Sequence, residues 1–177
     1  KLHRTSQQLL PNQVLKGEDL IPPLQNIIGL ARLQLPKNFR LTRHIDSILP
    51  AVSISIVEIE QVLLNLIGNA KDALLNKGVE NPWIKLDIEQ DERAGTVNLT
   101  VSDNADGIDQ AIINRVFEPF FTTKEVGAGT GLGLSISFGI VEGMGGEIHV
   151  RNTDEGALFR VSLPAHSGAA ADSQLAG

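Results

Sequence analysis

Between Ser55 and Gly78 the sequence spells out one long amphipathic helix with both ends marked. Ser55-Ile56-Val57-Glu58 is a capping box, in which the serine side chain and the glutamate three residues on satisfy backbone donors of the first turn. Ile59, Val62, Leu63, Leu66, Ile67, Ala70 and Leu74 fall on one stripe. Lys77-Gly78 then supplies a glycine that can take the left-handed conformation closing a helix. A helix with a single apolar stripe must lay it on a second apolar layer. The following segments offer that layer. Trp83 to Glu89 and Thr96 to Ser102 alternate, with Ile84, Leu86 and Ile88 on one side of the first and Val97, Leu99 and Val101 on one side of the second. They join at Glu92-Arg93-Ala94-Gly95, and their alternation predicts a sheet with one buried and one wet face.

Upstream, Pro22 and Pro23 suit a first helical turn after Asp19, and Leu24, Ile27, Ile28, Leu30, Ala31 and Leu35 recur at helical spacing until Pro36. Phe39 to Ile45 alternates with period two and predicts a strand. Residues 1–18 are polar, are broken by Pro11 and Gly17, and read as a linker or the end of a preceding helix. Downstream, residues 104–130 are mostly irregular, with one short helical patch around Ala111 to Phe117. A loop of that length inside a compact domain is usually a lid or a binding loop. A helix from Gly131 to about Gly143 follows, then strands Glu147 to Arg151 and Ala157 to Leu163 as a hairpin. Residues 166–177, rich in Ala, Ser and Gly, read as a flexible tail. The sum is an α/β (α+β) two-layer sandwich in one domain over 19–165: a mixed, mostly antiparallel five-stranded sheet with about three helices on one face and a long lid over 104–130.

Composition narrows the partners. The net charge of −6 argues against broad nucleic-acid binding. With no cysteine, disulfides and thiolate metal sites are excluded, which fits a cytoplasmic location. No apolar run approaches the ~18–20 residues that span a bilayer, so no membrane contact is expected of this segment.

Three places carry chemistry. On the long helix, Asn65, Asn69 and Asp72 stand at i, i+4 and i+7, one face opposed to Leu63, Ile67 and Leu74. Such a stripe is commonly a solvated helix edge, but asparagine competes for the backbone and is a poor choice there. Paired neutral oxygens suit a hard cation that already carries phosphate and water ligands. Lys71 points about a quarter-turn away. Asp103 ends a strand and opens Asn104-Ala105-Asp106-Gly107-Ile108. That is good turn chemistry in itself; as a binding element, a buried carboxylate accepts from an exocyclic amine, and Gly107 admits a flat ring close to the backbone. Gly127-Ala128-Gly129-Thr130-Gly131-Leu132-Gly133-Leu134 places glycines at every second position before a helix. It reads either as a flexible loop or as backbone donors at a helix N-terminus, which suit phosphate. Between the last two, Phe117-Glu118-Pro119-Phe120-Phe121-Thr122-Thr123-Lys124 holds half of the chain's six phenylalanines, a satellite cluster that would pin the loop.

Taken in order, Asn65-Leu66-Ile67-Gly68-Asn69-Ala70, Asp103 with Gly107, Phe117 to Lys124, and Gly129 to Leu134 resemble the four boxes of sensor histidine kinases over residues 40–164. This is the catalytic and ATP-binding domain of the Bergerat (GHKL) fold. The phenylalanine box is similar to that of nitrogen-regulator-type kinases and is absent from gyrase, Hsp90 and MutL relatives. The resemblance implies ATP and Mg²⁺. It makes Asn69 the main protein ligand of the metal with Asn65 assisting, Asp103 the partner of the adenine amino group, and Gly107 and Ile108 walls of the adenine pocket. Lys124, Thr130 and the backbone of Gly129, Gly131, Leu132, Gly133 and Leu134 would hold phosphates, and Lys71 or Asp72 would touch phosphate or its waters. Asn65, Asn69 and Lys124 would serve catalysis by positioning and charge neutralisation.

The resemblance further implies a dimerisation and phosphoacceptor domain of the same protein and a response regulator downstream. The fragment alone would be a monomer and the full protein a homodimer. The family's acceptor is a histidine followed by an acidic residue, whereas His3, His44, His149 and His166 precede Arg4, Ile45, Val150 and Ser167, so the acceptor is expected elsewhere. Ala105 replaces a glycine common in the second box, and Ala157 stands where many relatives place Ser or Thr. Two alternatives remain: a serine kinase of the same fold, disfavoured by the phenylalanine box, and a nucleotide-binding regulatory module without catalysis, disfavoured by the intact asparagines and glycines.

Overall fold

The computed structural model describes residues 12–121 and 133–166. Along the chain run β1 (Gln13–Leu15), α1 (Gly17–Gln34), β2 (Arg40–Ile45), β3 (Val52–Ile54), α2 (Ile56–Lys77), β4 (Trp83–Asp91), β5 (Thr96–Asp103), α3 (Gly133–Gly143), β6 (Glu147–Asn152) and β7 (Ala157–Pro164). Five strands form the main sheet in the order β2-β4-β5-β7-β6. Only β2 and β4 are parallel; the other neighbours are antiparallel. The three helices cover one face, so the expected two-layer sandwich is the observed one.

The long helix forms with both of its expected ends, although only the serine half of the capping box is made among the described residues. The Ser55 hydroxyl accepts from the Glu58 N–H at 3.4 Å, and Gly78 closes the helix at φ +60° with its N–H on the Leu74 and Leu75 carbonyls. Val62, Leu63 and Leu66 are completely buried, as are Ile84, Leu86 and Ile88 of β4 beneath them. Each such side chain contributes ~1.5–3 kcal/mol of burial. On the opposite face of β4, Lys85 and Glu89 are exposed, which is the wet side.

Four details differ from the expectation. Gln13–Leu15, placed in the linker by its polarity, pairs antiparallel with β3 in a separate two-stranded sheet; three residues are too few to show a period. α1 starts at Gly17 rather than after Asp19, so Pro22 and Pro23 lie in its second turn. Gly17 is required where it stands, because a Cβ there would overlap the Leu49 carbonyl. Leu30, counted in the buried stripe of α1, is 43% exposed, while Leu20 takes a buried place. At the other end, Ala165 bridges to Val52 and the His166 N–H donates to the Ala51 carbonyl at 2.7 Å, so the ordered fold reaches one residue into the expected tail.

Topology places the site. A short connection leads from the end of α2 to the start of β4, and β5 runs antiparallel to β4 so that Asp103 pairs with Ile84 at that same start. The end of β5, Asp103, therefore lies at the same end of the domain as the C-terminal half of α2, which carries Asn69 and Asp72. α3 packs beside α2 and delivers Gly133 to the same helix.

Candidate nucleotide site

Asp103 is the last residue of β5 and only 3% exposed. Its Oδ1 accepts from the Ala105 N–H at 2.9 Å and from the Ala157 N–H at 3.3 Å, and Oδ2 takes no hydrogen bond from the described residues. Burial pushes its carboxyl above the ordinary aspartate value, against the opposing pull of those two N–H donors. A desolvated carboxylate with one oxygen uncommitted is a strong acceptor for a neutral amine donor.

The loop that follows is built from close backbone approaches. Asp106 and Gly107 take left-handed conformations at φ +69° and +84°. The Asn104 side chain accepts from the Trp83 N–H at 2.8 Å and donates to the Asn81 carbonyl at 3.1 Å, fixing where the loop leaves the sheet. Ala105, which stands where a glycine is common, is buried and outside the left-handed region, so the turn accommodates its methyl group. Ala157 contributes its backbone N–H rather than a hydroxyl.

On α2, Asn65, Asn69, Lys71 and Asp72 are all half-buried. The Asn65 Nδ2 donates to the Gly133 carbonyl and the Ser137 hydroxyl, both at 3.3 Å, and Ser137 donates to the Gly133 carbonyl at 2.9 Å. The amide nitrogen of Asn65 is thus engaged by the first turn of α3, which leaves its Oδ1. Asn69 makes no side-chain hydrogen bond among the described residues, so its amide oxygen is uncommitted. Two neutral oxygens of this kind fit a hard cation that brings phosphate and water ligands with it.

The phenylalanine segment docks as a cluster. Phe117 sits 5.6 Å from Phe138 of α3 and 6.2 Å, edge-on, from Phe159 of β7. Arg115 pairs with Glu118 at 3.2 Å and lies 4.8 Å over the Phe121 ring. The expected helical patch shrinks to the 3₁₀ turn Ile113–Arg115. Lys124, Gly129, Thr130, Gly131 and Leu132 lie outside the described residues; Gly133 and Leu134 open α3, beside Asn65.

Three residues of this region carry no signal a sequence reading would single out. Asn152 reads as a strand end, Gly156 as an ordinary turn glycine, and Ser137 as a small residue in a helix. Yet the Asn152 amide makes both of its bonds to the backbone of Ile108, a Cβ on Gly156 would press into Asp103, and Ser137 is fully buried under Asn65.

The model of the histidine kinase-, DNA gyrase B- and HSP90-like ATPase family matches residues 55–167. The two-component sensor PprA of Pseudomonas aeruginosa is 49% identical over 108 residues, 60% of this chain and 12% of that protein, so the chain spans about an eighth of that relative's length. The catalytic domain of histidine kinase ThkA, in a nucleotide-free form, superposes with a TM-score of 0.73 at 30% identity, covering 88% of this chain and 97% of that one. ThkA in complex with the response regulator protein TrrA gives 0.67 at 28% identity, covering 88% and 42%. With a family model over most of its length and the fold of a solved catalytic domain matched almost end to end, the chain belongs to the histidine kinase-, DNA gyrase B- and HSP90-like ATPase family, on its histidine kinase branch.

Proposed function

We propose that this chain binds Mg·ATP and serves the transfer of the γ-phosphoryl group to a histidine on a dimerisation domain of the same protein, within two-component signalling. The observation that carries the reading is the buried carboxylate of Asp103 at the same end of the fold as the asparagine face of α2. Asp103 accepts the adenine amino group, and Gly107 and Ile108 form the wall beside the ring. A keto purine presents an acceptor to the same carboxylate and is rejected.

Asn69 holds the metal, with the Oδ1 of Asn65 assisting, and the bound Mg²⁺ supplies neutralisation of phosphate charge. Asp72 and Lys71 lie on the adjoining turn, within reach of phosphate or its waters. Lys124, Thr130 and the backbone from Gly129 to Leu134 hold the phosphates, with 104–130 as the lid. The domain runs over 19–165, extended at its start by β1 and the first turn of α1 and at its end by His166. This division of labour is positioning plus charge neutralisation, with no covalent step on these residues. ThkA, solved with a response regulator, supports a response regulator downstream of this chain too. An ATP-dependent signalling step places the segment in the cytoplasm.

The test is transfer in trans. Incubation with γ-labelled Mg·ATP and a dimerisation domain bearing the acceptor histidine is expected to label that domain with an acid-labile, base-stable phosphate. An acid-stable label would indicate a serine kinase, and ATP binding without transfer would indicate a regulatory module.

A further inference from the structure

The end of the β6–β7 hairpin ties down the end of β5 and the loop after it at three separate points. The Ala157 N–H donates to Asp103 Oδ1 at 3.3 Å, the Asp106 N–H donates to the Glu155 carbonyl at 3.2 Å, and Asn152 meets Ile108. The last tie is the tightest. The Ile108 N–H donates to Asn152 Oδ1 at 2.8 Å, and Asn152 Nδ2 donates to the Ile108 carbonyl at 2.7 Å, so one side-chain amide satisfies both backbone groups of one residue. Oδ1 and Cγ of Asn152 also lie 2.8 and 3.0 Å from where a Cβ on Gly107 would stand, at φ +84°. Asn152 therefore sets both the height of the Ile108 backbone and the space above Gly107. Gly156 completes the turn by letting it close on Asp103, whose Oδ1 would lie 2.6 Å from an added Cβ.

We infer that Asn152 is a positioning residue for base recognition: it touches no ligand, but it holds the Gly107–Ile108 wall at the spacing from Asp103 that admits an adenine ring. This rests on the reading of Asp103 as the adenine partner. The side chain is at the hairpin end, half-buried, and ends no apolar layer, so its removal leaves the core intact. The pairing needs one donor and one acceptor at a fixed separation. Aspartate keeps the acceptor but turns the donor into a second acceptor facing the Ile108 carbonyl. Serine has one hydroxyl on a shorter side chain and can make only one of the two bonds, and a weaker one.

Calorimetric titration of the chain with Mg·ATP, Mg·GTP and Mg·tripolyphosphate tests this. In Asn152→Asp the ATP affinity is expected to fall about tenfold or more, as for a lost hydrogen bond plus an unpaired carbonyl. Tripolyphosphate affinity should stay within about twofold, since the metal and phosphate end is unaltered, and the ATP-to-GTP preference should shrink. Asn152→Ser should recover part of both. Gly107→Ala should cost less ATP affinity in the Asn152→Ala background than in wild type, because only the φ strain is left. Equal losses of ATP and tripolyphosphate affinity, or strict additivity of Gly107→Ala and Asn152→Ala, would overturn the role and leave Asn152 a general structural residue. A wild-type chain that binds no ATP would overturn the functional reading itself, and this inference with it.

Discussion

Asp103 at the end of β5 accepts a hydrogen bond from the backbone N–H of Ala157, the first residue of β7, at 3.3 Å across 54 residues of chain. The same carboxylate oxygen holds the Ala105 N–H, so one buried side chain organises two strand ends and the loop between them. Asparagine at this position keeps Oδ1 for both donors while removing a charge that burial penalises. Asp103→Asn is therefore expected to leave the unfolding midpoint at neutral pH unchanged or raised. It places an amide N–H against the adenine amino group, and ATP affinity should fall about 10- to 100-fold, the span of a lost hydrogen bond to a charged group. Urea melts and calorimetry check the two halves; a destabilised variant with full ATP affinity would refute both.

The direction of the Asp103 shift also sets a pH dependence. Its carboxyl is raised in the fold above the ordinary value of 3.8 by burial. A group so raised stabilises the fold below the unfolded value, and that contribution is lost as pH rises through the folded value. The difference in unfolding free energy between wild type and Asp103→Asn should thus grow with pH across that window and level off above it. A difference that is flat from pH 3 to 7 would show that Asp103 is well solvated.

Asn65 and Ser137 share one bond and one acceptor, the Gly133 carbonyl. Each alanine substitution should cost about 1 kcal/mol. The double variant should cost clearly less than the sum, since the groups are coupled. Simple additivity in denaturant titrations would mean the two contacts are independent.

Phe117 and Phe120 stand three residues apart and should behave oppositely. Phe117 packs on Phe138 and Phe159, and its replacement by alanine should cost ~2–3 kcal/mol, somewhat under the value for a full core phenylalanine. Phe120 is 73% exposed at φ +63°, so Phe120→Gly should be neutral or stabilising by about 1 kcal/mol. Unfolding midpoints of both variants decide; a marked loss in Phe120→Gly would assign that ring a packing role.

The layered fold was legible in the sequence because its signals are local and repeated. Ser55 and Gly78 mark the ends of α2 by cap chemistry, and the strands at 83–89 and 96–102 show their period over several residues. β1 was not legible, because Gln13–Leu15 becomes a strand only through its partner Val52–Ile54. The candidate site divides the same way. The asparagines of α2 are residue types unusual for a helix surface and announce themselves, whereas Asp103 and Gly107 are ordinary turn chemistry and stand out only through their place in the ordered set of motifs. Asn152, Gly156 and Ser137 act through partners 44, 53 and 72 residues away, and nothing in their own neighbourhood reports those contacts.

The most direct measurement is calorimetric titration of the wild-type chain with Mg·ATP and Mg·GTP, repeated on Asp103→Asn. One ATP site that excludes GTP and weakens sharply in the variant is the expected result. Equal affinity for the two nucleotides, or ATP affinity untouched by the substitution, would contradict the assignment of Asp103 to the adenine amino group.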